Sequence, residues 1–353
     1  MGKQFELPPR TAHDTAKLPL AIITGSNTGI GFELALNFVL SGYNVILACR
    51  SRDKGEEAAK TINTRAQCGR QQEPVGEAVF VTPCDLSSFQ SIHSFVDEVR
   101  RCHLYSGCLN VLVNNAGIGY NGISEDGLDL CFQSNFVGHY LLTRLLLPDL
   151  KKARNYVTYP EIFEAGRIVN LSSVMHHFAS PLPLSKEEWK NQCIEIARHV
   201  KPENRFTYSH SKVAAILFTV QLNKLYLDSN IHAISVNPGA VNSDIWRHIN
   251  PTLFKYIVGP VFRLLYLTTA QASSSVFTAA TSLRCSNLTY FQPYWLPKSI
   301  SSTPFPVFEM LGPFVGSLAT APRLPQGDDS TKSAENLWMA CEEVLHAKNV
   351  RMT

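Results

Sequence analysis

Tyr208 and Lys212 stand four apart in the stretch Arg205-Phe-Thr-Tyr-Ser-His-Ser-Lys212. On a helix that spacing puts a phenol and an ammonium on one face, one turn apart. A neighbouring cation favours the phenolate, which brings proton exchange nearer neutral pH than the tyrosine reference value of about 10. A group so poised suits general acid–base catalysis. The pair alone equally fits an exposed helical contact with no chemistry, so its meaning depends on what precedes it.

A glycine-rich turn, Gly25-Ser26-Asn27-Thr28-Gly29-Ile30-Gly31, follows the apolar run Pro19–Thr24 and precedes the helical periodicity of Phe32–Leu40. Strand, glycine turn and helix form the context of a phosphate-binding turn. Glycines let the backbone approach a pyrophosphate, and free N–H groups at the helix start face the anion. A second strand, Asn44–Cys49, ends at Arg50, with Arg52 and Lys54 close behind. An acid there would hold the ribose 2′-OH of NAD, whereas a basic residue suits the 2′-phosphate of NADP. Arg50 lies 19 positions after Gly31 (50 − 31), the expected reach.

The elements that must position these residues follow in order. Ser51–Gln67 is helical, Cys68–Gly76 a polar surface loop, Glu77–Pro83 a third strand, and Ser87 caps a helix over Phe89–Cys102. Asp85, at the third strand's end, meets an adenine amino group or simply caps the helix. Leu109–Val113 is a fourth strand closed by Asn114-Asn115-Ala116-Gly117, small residues that leave room for a ribose or nicotinamide, or form a plain turn. A long helix over Asp126–Leu150 contains Asn135. Asparagine is mildly unfavourable there, which implies a bend with a buried water or a solvent-facing side chain. Gly166–Ser173 is a fifth strand ending in Ser172 and Ser173. An irregular stretch with a helical piece around Lys186–Arg198 leads to the Tyr208 helix, which runs to about Leu227. Ile231–Val236 is a sixth strand before Asn237-Pro238-Gly239. This alternation predicts an α/β fold: a single Rossmann-type, doubly wound parallel sheet flanked by helices. Ligands bind outside the carboxyl ends of such strands. The glycine turn, Arg50, Asp85, the 114–117 turn, Ser173 and Pro238-Gly239 all converge at that edge.

Composition narrows the function classes. The chain has 353 residues, 45% hydrophobic and 17% charged, and a net charge of +3 with no basic run, which argues against nucleic acid. Nine scattered cysteines without Cys-x-x-Cys favour reduced thiols in a cytoplasmic or similar compartment over a disulfide framework or a metal site. The first residues lack a hydrophobic secretory core, Glu6 opposes myristoylation after Gly2, and no apolar run reaches the roughly 18–20 residues of a membrane span. The expected organisation is a disordered leader at 1–17, the Rossmann-type domain at 18–297, a flexible insertion at 298–328, and a C-terminal helix at 329–353 packing back on the domain. Within the domain, 245–283 is dense in apolar residues from Trp246 to Leu267 and reads as a C-terminal substrate lid, with Phe291, Tyr294 and Trp295 adding aromatic cover. The same segment also fits core packing, a homodimer interface, or peripheral membrane contact through 245–267.

Taken together, these motifs resemble the classical short-chain dehydrogenases/reductases. Thr24–Gly31 is similar to their cofactor turn and Asn114–Gly117 to their signature after the fourth strand. Asn135, Ser173, Tyr208 and Lys212 stand in the order of their catalytic tetrad, and Pro238-Gly239 matches their motif after the sixth strand. Leu47-Ala-Cys-Arg50, Ser134-Asn-Phe-Val-Gly-His139, Tyr208–Phe218 and Asn336-Leu-Trp338 resemble the retinol dehydrogenase group and the oxidoreductase domain of its WW-domain relatives. The resemblance implies NADP(H) as cofactor, held by Gly25, Ser26, Asn27, Gly29, Ile30, Gly31, Arg50, Asp85, Leu86, Asn115, Ala116, Gly117, Tyr208, Lys212, Pro238, Gly239 and Val241. It implies a lipophilic aldehyde or ketone interconverted with its alcohol. Tyr208 is then the proton donor in reduction, and Lys212 depresses its pKa and holds the nicotinamide ribose. Ser173 hydrogen-bonds the substrate oxygen, with Ser172 its rival, and Asn135 holds a water linking Lys212 to solvent. The alternative is a catalytically idle NADPH-binding sensor or scaffold. The 35 positions between Ser173 and Tyr208 (208 − 173) are long for the family at large, and 298–328 has no counterpart. Neither an N-terminal anchor nor a WW domain is expected. The expected location is cytoplasmic, or peripheral to an intracellular membrane.

Overall fold

The computed structural model describes residues 18–69, 75–120, 122–153, 166–179, 182–194, 206–229, 231–239, 241, 267–282, 290–293, 317–318 and 328–352. The leader, residues 195–205, residues 242–266 of the expected lid and most of 298–328 lie outside them.

Strand β1 (Leu20–Thr24) is buried at every residue. Its alternate side chains enter two separate cores. Ala21 and Ile23 pack with Phe38 and Val39 on one face, and Leu20 and Ile22 with Phe95, Leu146 and Phe218 on the other. Alternation of sides along a strand explains the split, and burial on both faces explains why the strand reads as a continuous apolar run. The other strands are β2 (Asn44–Ala48), β3 (Ala78–Val79), β4 (Val111–Asn114), β5 (Gly166–Leu171), β6 (Ile231–Val236), β7 (Tyr290–Pro293) and β8 (Ser317–Leu318). Their order across the sheet is β3-β2-β1-β4-β5-β6-β7-β8. β1 to β7 are parallel and β8 is antiparallel. Strand order reverses between β1 and β4, the switch point where such sheets open a crevice.

The sheet extends past the six expected strands. β7 is only four residues long and contains Pro293, a residue that argues against a central strand. β8 lies in the stretch expected to be a flexible excursion and pairs with β7, Gln292 opposite Leu318. β3 is shorter than the expected Glu77–Pro83. The Asn63 side chain donates to the Ala78 carbonyl at 2.8 Å and accepts from its N–H at 2.8 Å, so a side chain closes the sheet edge where a further strand would pair.

Helices α1 (Gly29–Leu40), α2 (Arg52–Gly69) and α8 (Thr269–Thr281) cover one face. α8 falls within the expected lid, yet Ala272, Val276, Ala279 and Ala280 are buried against the domain and Asn37 Nδ2 donates to Ser273 Oγ at 3.1 Å. Small residues let it lie flush on α1, so this part of 245–283 is core, begun by a Thr268–Gln271 capping box. The opposite face carries α3 (Phe89–Arg101), the single turn α4 (Leu130–Phe132) running through a π-helical turn (Gln133–Val137) into α5 (Gly138–Lys151), then α6 (Lys186–Ile194), α7 (Phe206–Leu225) and α9 (Asp328–Ala347). The expected Asp126–Leu150 helix therefore starts later and is interrupted at Asn135. Among the described residues, no helix is long and apolar enough to cross a membrane.

Candidate active site

A cleft of about 690 Å³ opens along the carboxyl ends of β1, β2, β4, β5 and β6. Gly25, Asn27, Gly29, Ile30 and Gly31 line its floor, Arg50, Asp85 and Leu86 one end, Asn115, Ala116 and Gly117 its middle, and Ser173, Tyr208, Lys212, Pro238, Gly239 and Val241 the other end. Of the cofactor residues implied by the sequence, only Ser26 is absent from the lining; its buried hydroxyl has no hydrogen-bond partner.

The turn itself is built for close approach. Gly25 and Gly29 adopt φ +66° and +61°, where side chains are disfavoured. A Cβ on Gly31 would lie 2.4 Å from the Gly25 carbonyl oxygen and 2.6 Å from Asn115 Nδ2. Thr28 begins α1 in an extended conformation without a side-chain cap, and the first turn holds no acid. The N–H groups there thus face the cleft uncompensated, which fits a pyrophosphate. Arg50 is exposed at the end of β2, its guanidinium hydrogen-bonded to Tyr120 and near Asp85, contacts that raise its pKa. Arg52 turns instead to Glu56, 3.2 Å away. Asp85 lines the cleft and accepts from the backbone N–H and hydroxyl of Ser87 at 2.9 and 2.6 Å, a turn ahead of α3; neither Asp85 nor the expected Ser87 caps that helix, because Ser88 does, accepting from the Ser91 N–H.

The 114–117 turn divides its labour. Asn114 is buried and ties the sheet to its neighbours, donating to Thr143 Oγ1 at 3.0 Å and Asn170 Oδ1 at 2.7 Å. Asn115 donates to the Thr24 carbonyl at 2.6 Å, pinning the glycine turn to β4. The Thr24 hydroxyl accepts from the backbone N–H groups of Asn115 and Ala116, both at 2.9 Å.

At the far end, the Tyr208 side chain is half-buried and shares the cleft with Ser173. Lys212 Nζ lies 5.4 Å from the Tyr208 ring centre and donates to the Leu171 carbonyl at 3.1 Å. Ser172 also lines the cleft, but its hydroxyl is buried and donates to the Lys212 carbonyl at 2.9 Å. The two bonds clamp α7 to the end of β5, and they leave Ser173 as the serine beside the phenol. Asn135 lies behind the cleft wall. It accepts from the Ile118 N–H at 2.7 Å and donates to the Ile118 carbonyl at 3.0 Å and to Ser211 Oγ at 3.1 Å. Ser211 in turn donates to the Tyr208 carbonyl at 2.7 Å. A π-helical turn at such a residue is a recurrent functional device; here it aims the asparagine at the backbone after the 114–117 turn.

Electrostatics corrects one expectation. Burial dominates the Tyr208 phenol and pushes its pKa well up, with the Ser173 hydrogen bond opposing it; Lys212 does not set the direction. Burial pulls Lys212 down to about 8. The charged form of Lys212 thus exists below about pH 8, while Tyr208 keeps its proton above it. The alkaline limb of kcat/KM for carbonyl reduction should therefore fall near pH 8 as Lys212 loses its charge, since that ratio reports groups of the free enzyme. A profile flat to pH 10 would contradict this assignment.

Ile118, His139 and Ser211 belong to the site and are given no role by the sequence reading, which places Thr24 there only as the first residue of the cofactor turn. A polar residue four positions after Asn135 and a serine inside the Tyr208–Lys212 stretch are the only signals that could have marked His139 and Ser211. Among the described residues, no group of three or more metal-ligating side chains is assembled.

Residues 19–183 match the family model of the short chain dehydrogenases. Retinol dehydrogenase 11 of Mus musculus is 34% identical over 269 residues, which covers 74% of this chain and 73% of that protein. Retinol dehydrogenase 13 of Mus musculus is 33% identical over 250 residues, 69% of this chain but 66% of that protein, slightly under two thirds of its length. Among solved structures, the Pseudomonas aeruginosa RhlG/NADP active-site complex superposes with a TM-score of 0.56 at 19% identity, covering 77% of this chain and 92% of that one. L-sorbose reductase from Gluconobacter frateurii, complexed with NADPH and L-sorbose, gives 0.54 at 21% identity, with 76% and 92% covered. At such identities the structures share the fold.

Proposed function

Because the chain belongs to the short-chain dehydrogenase/reductase family, alongside its retinol dehydrogenases, we propose that it is an NADP(H)-dependent oxidoreductase interconverting lipophilic aldehydes or ketones with their alcohols. The carrying observation is that Ser173, Tyr208 and Lys212 line the same cleft as the glycine turn, with Ser173 acting on the phenol. In reduction, Tyr208 gives its proton to the carbonyl oxygen. Ser173 donates a hydrogen bond to that oxygen as negative charge grows there, an oxyanion role. The Lys212 ammonium adds positive potential beneath the phenol. Asn135 fixes Ile118 on one side and, through Ser211, the Tyr208 backbone on the other. The reduced nicotinamide, when bound, supplies the hydride. Ile118, Leu171, Val174 and Met175 make the wall near Tyr208 apolar, which suits a lipophilic carbonyl and agrees with the names of the relatives.

The test follows NADPH oxidation at 340 nm against retinal and a panel of other lipophilic aldehydes and ketones, with NADH in parallel. Turnover with NADPH well above NADH supports the reading. Tight NADPH binding without turnover on any carbonyl would move it to the idle sensor. Arg50 carries the cofactor choice. Arg50→Ala should raise KM for NADPH about 10–100-fold, the scale of one charge-assisted bond, and leave KM for NADH within about twofold. Equal losses with both cofactors would remove Arg50 as the 2′-phosphate contact.

A further inference from the structure

His139 lies one helical turn beyond Asn135, is buried with 4% of its surface exposed and does not itself line the cleft. Its Nδ1 is 3.0 Å from the Asn135 backbone carbonyl, and its Nε2 is 2.8 Å from Thr24 Oγ1, 115 positions away in sequence. A carbonyl can only accept, so Nδ1 carries the hydrogen. Nε2 then accepts, and the Thr24 hydroxyl donates to it. Thr24 has a competing acceptor in the Val113 carbonyl, but at 3.4 Å that contact is far weaker than 2.8 Å. The same hydroxyl oxygen receives the N–H groups of Asn115 and Ala116. One imidazole thus connects the turn after β4 to the π-helical turn that carries Asn135. Burial pulls its pKa down to about 4, which keeps the ring neutral and the tautomer fixed.

We propose that His139 is a positioning residue for the reaction: its ring locks the Asn135 carbonyl to Thr24, holding the π-helical turn open so that the Asn135 side chain stays on Ile118 and Ser211. The consequence is unequal at the two ends of the cleft. Without the ring, the Thr24 hydroxyl can turn to Val113 and still receive both N–H groups, and Asn115 still pins the glycine turn. The cofactor end is therefore kept. The π-helical turn loses its lock and relaxes toward the α register, which swings Asn135 off Ile118 and Ser211 and frees the Tyr208 backbone.

The test has two arms. His139→Phe keeps an aromatic ring and removes both nitrogens. It should lower kcat for NADPH-dependent reduction about 10–100-fold, the scale of one or two buried hydrogen bonds, while KM for NADPH moves less than about threefold. His139→Gln, whose amide can still donate to Asn135, should recover most of kcat. A phenylalanine variant with native circular dichroism and unchanged kcat would overturn the proposal, as would equal damage to kcat and to NADPH affinity. The second arm reads ¹⁵N shifts of the His139 imidazole in the unaltered protein. Neutral, Nδ1-protonated imidazole at pH 6 is expected, and an Nε2-protonated or charged ring overturns the proposal even if the phenylalanine variant fails to fold. The kinetic arm rests on the reductase reading; the spectroscopic arm does not, so a wild-type chain without turnover would defeat that reading and leave the ring's role to be judged by its tautomer.

Discussion

Tyr208→Phe should reduce turnover by about 10³-fold or more, within the range assigned to a lost general acid, and leave NADPH affinity within about threefold. The phenyl ring keeps the packing, and Lys212 keeps its bond to the Leu171 carbonyl, so the variant should fold. The cofactor residues are spread along the whole cleft, from Arg50 to Val241, and losing one hydroxyl at its far end removes little of that. Stopped-flow reduction and NADPH fluorescence titration separate the two quantities. A variant with wild-type kcat would remove Tyr208 from the chemistry. One that loses NADPH binding in proportion to kcat would make the phenol a binding group.

The second large effect is expected at Gly31. An added methyl group would sit 2.4 Å from the Gly25 carbonyl and 2.6 Å from Asn115 Nδ2. Neither neighbour can yield cheaply, since one is backbone and the other is held by the Thr24 carbonyl at 2.6 Å. Gly31→Ala should therefore displace the turn, weaken NADPH binding by about 100-fold and cost about 1–3 kcal/mol of stability, as overpacking does. Gly29→Ala is the control. Its added carbon would meet nothing within 4 Å, and only its φ of +61° is strained, a cost of about 1–2 kcal/mol. Isothermal titration with NADPH on Gly31→Ala and thermal melts on both variants test this, Gly29→Ala serving as the control for stability alone. A smaller loss of thermal stability at Gly31 than at Gly29 would show that the contacts with the Gly25 carbonyl and Asn115 are not tight.

Much of the cleft is legible in the sequence, because strand ends follow from periodicity and a parallel sheet gathers its carboxyl ends on one edge. Arg50, Asp85, the 114–117 turn, Ser173 and Pro238-Gly239 all come together there. Alternation along a strand does not keep Ser172 out of the cleft, since both serines line it; what sets them apart is the bond that commits the Ser172 hydroxyl to the Lys212 carbonyl. What stays hidden is of another kind. The link from Thr24 to His139 joins positions far apart through side-chain atoms, and no local pattern encodes it. The π-helical turn at Asn135 depends on a shift of hydrogen-bond register that residue preferences do not specify. The sign of the Tyr208 shift is hidden too: spacing reveals the neighbouring cation, whereas burial, which outweighs it, exists only after folding. β7 is concealed by its brevity and its proline.

Helix α9 gives the architecture a history. Its Leu337, Ala340, Cys341, Val344 and Leu345 complete the same core as Val213, Ala214, Leu217 and Phe218 of α7. Glu342 meets Tyr140 across 202 positions, and Ser333 receives the Trp189 indole N–H at 3.1 Å. α7, which carries Tyr208 and Lys212, is therefore translated well before the helix that seals its flank. Contacts of such long sequence separation form slowly, so the flank of the helix that bears Tyr208 and Lys212 is closed only when the last helix of the chain reaches it.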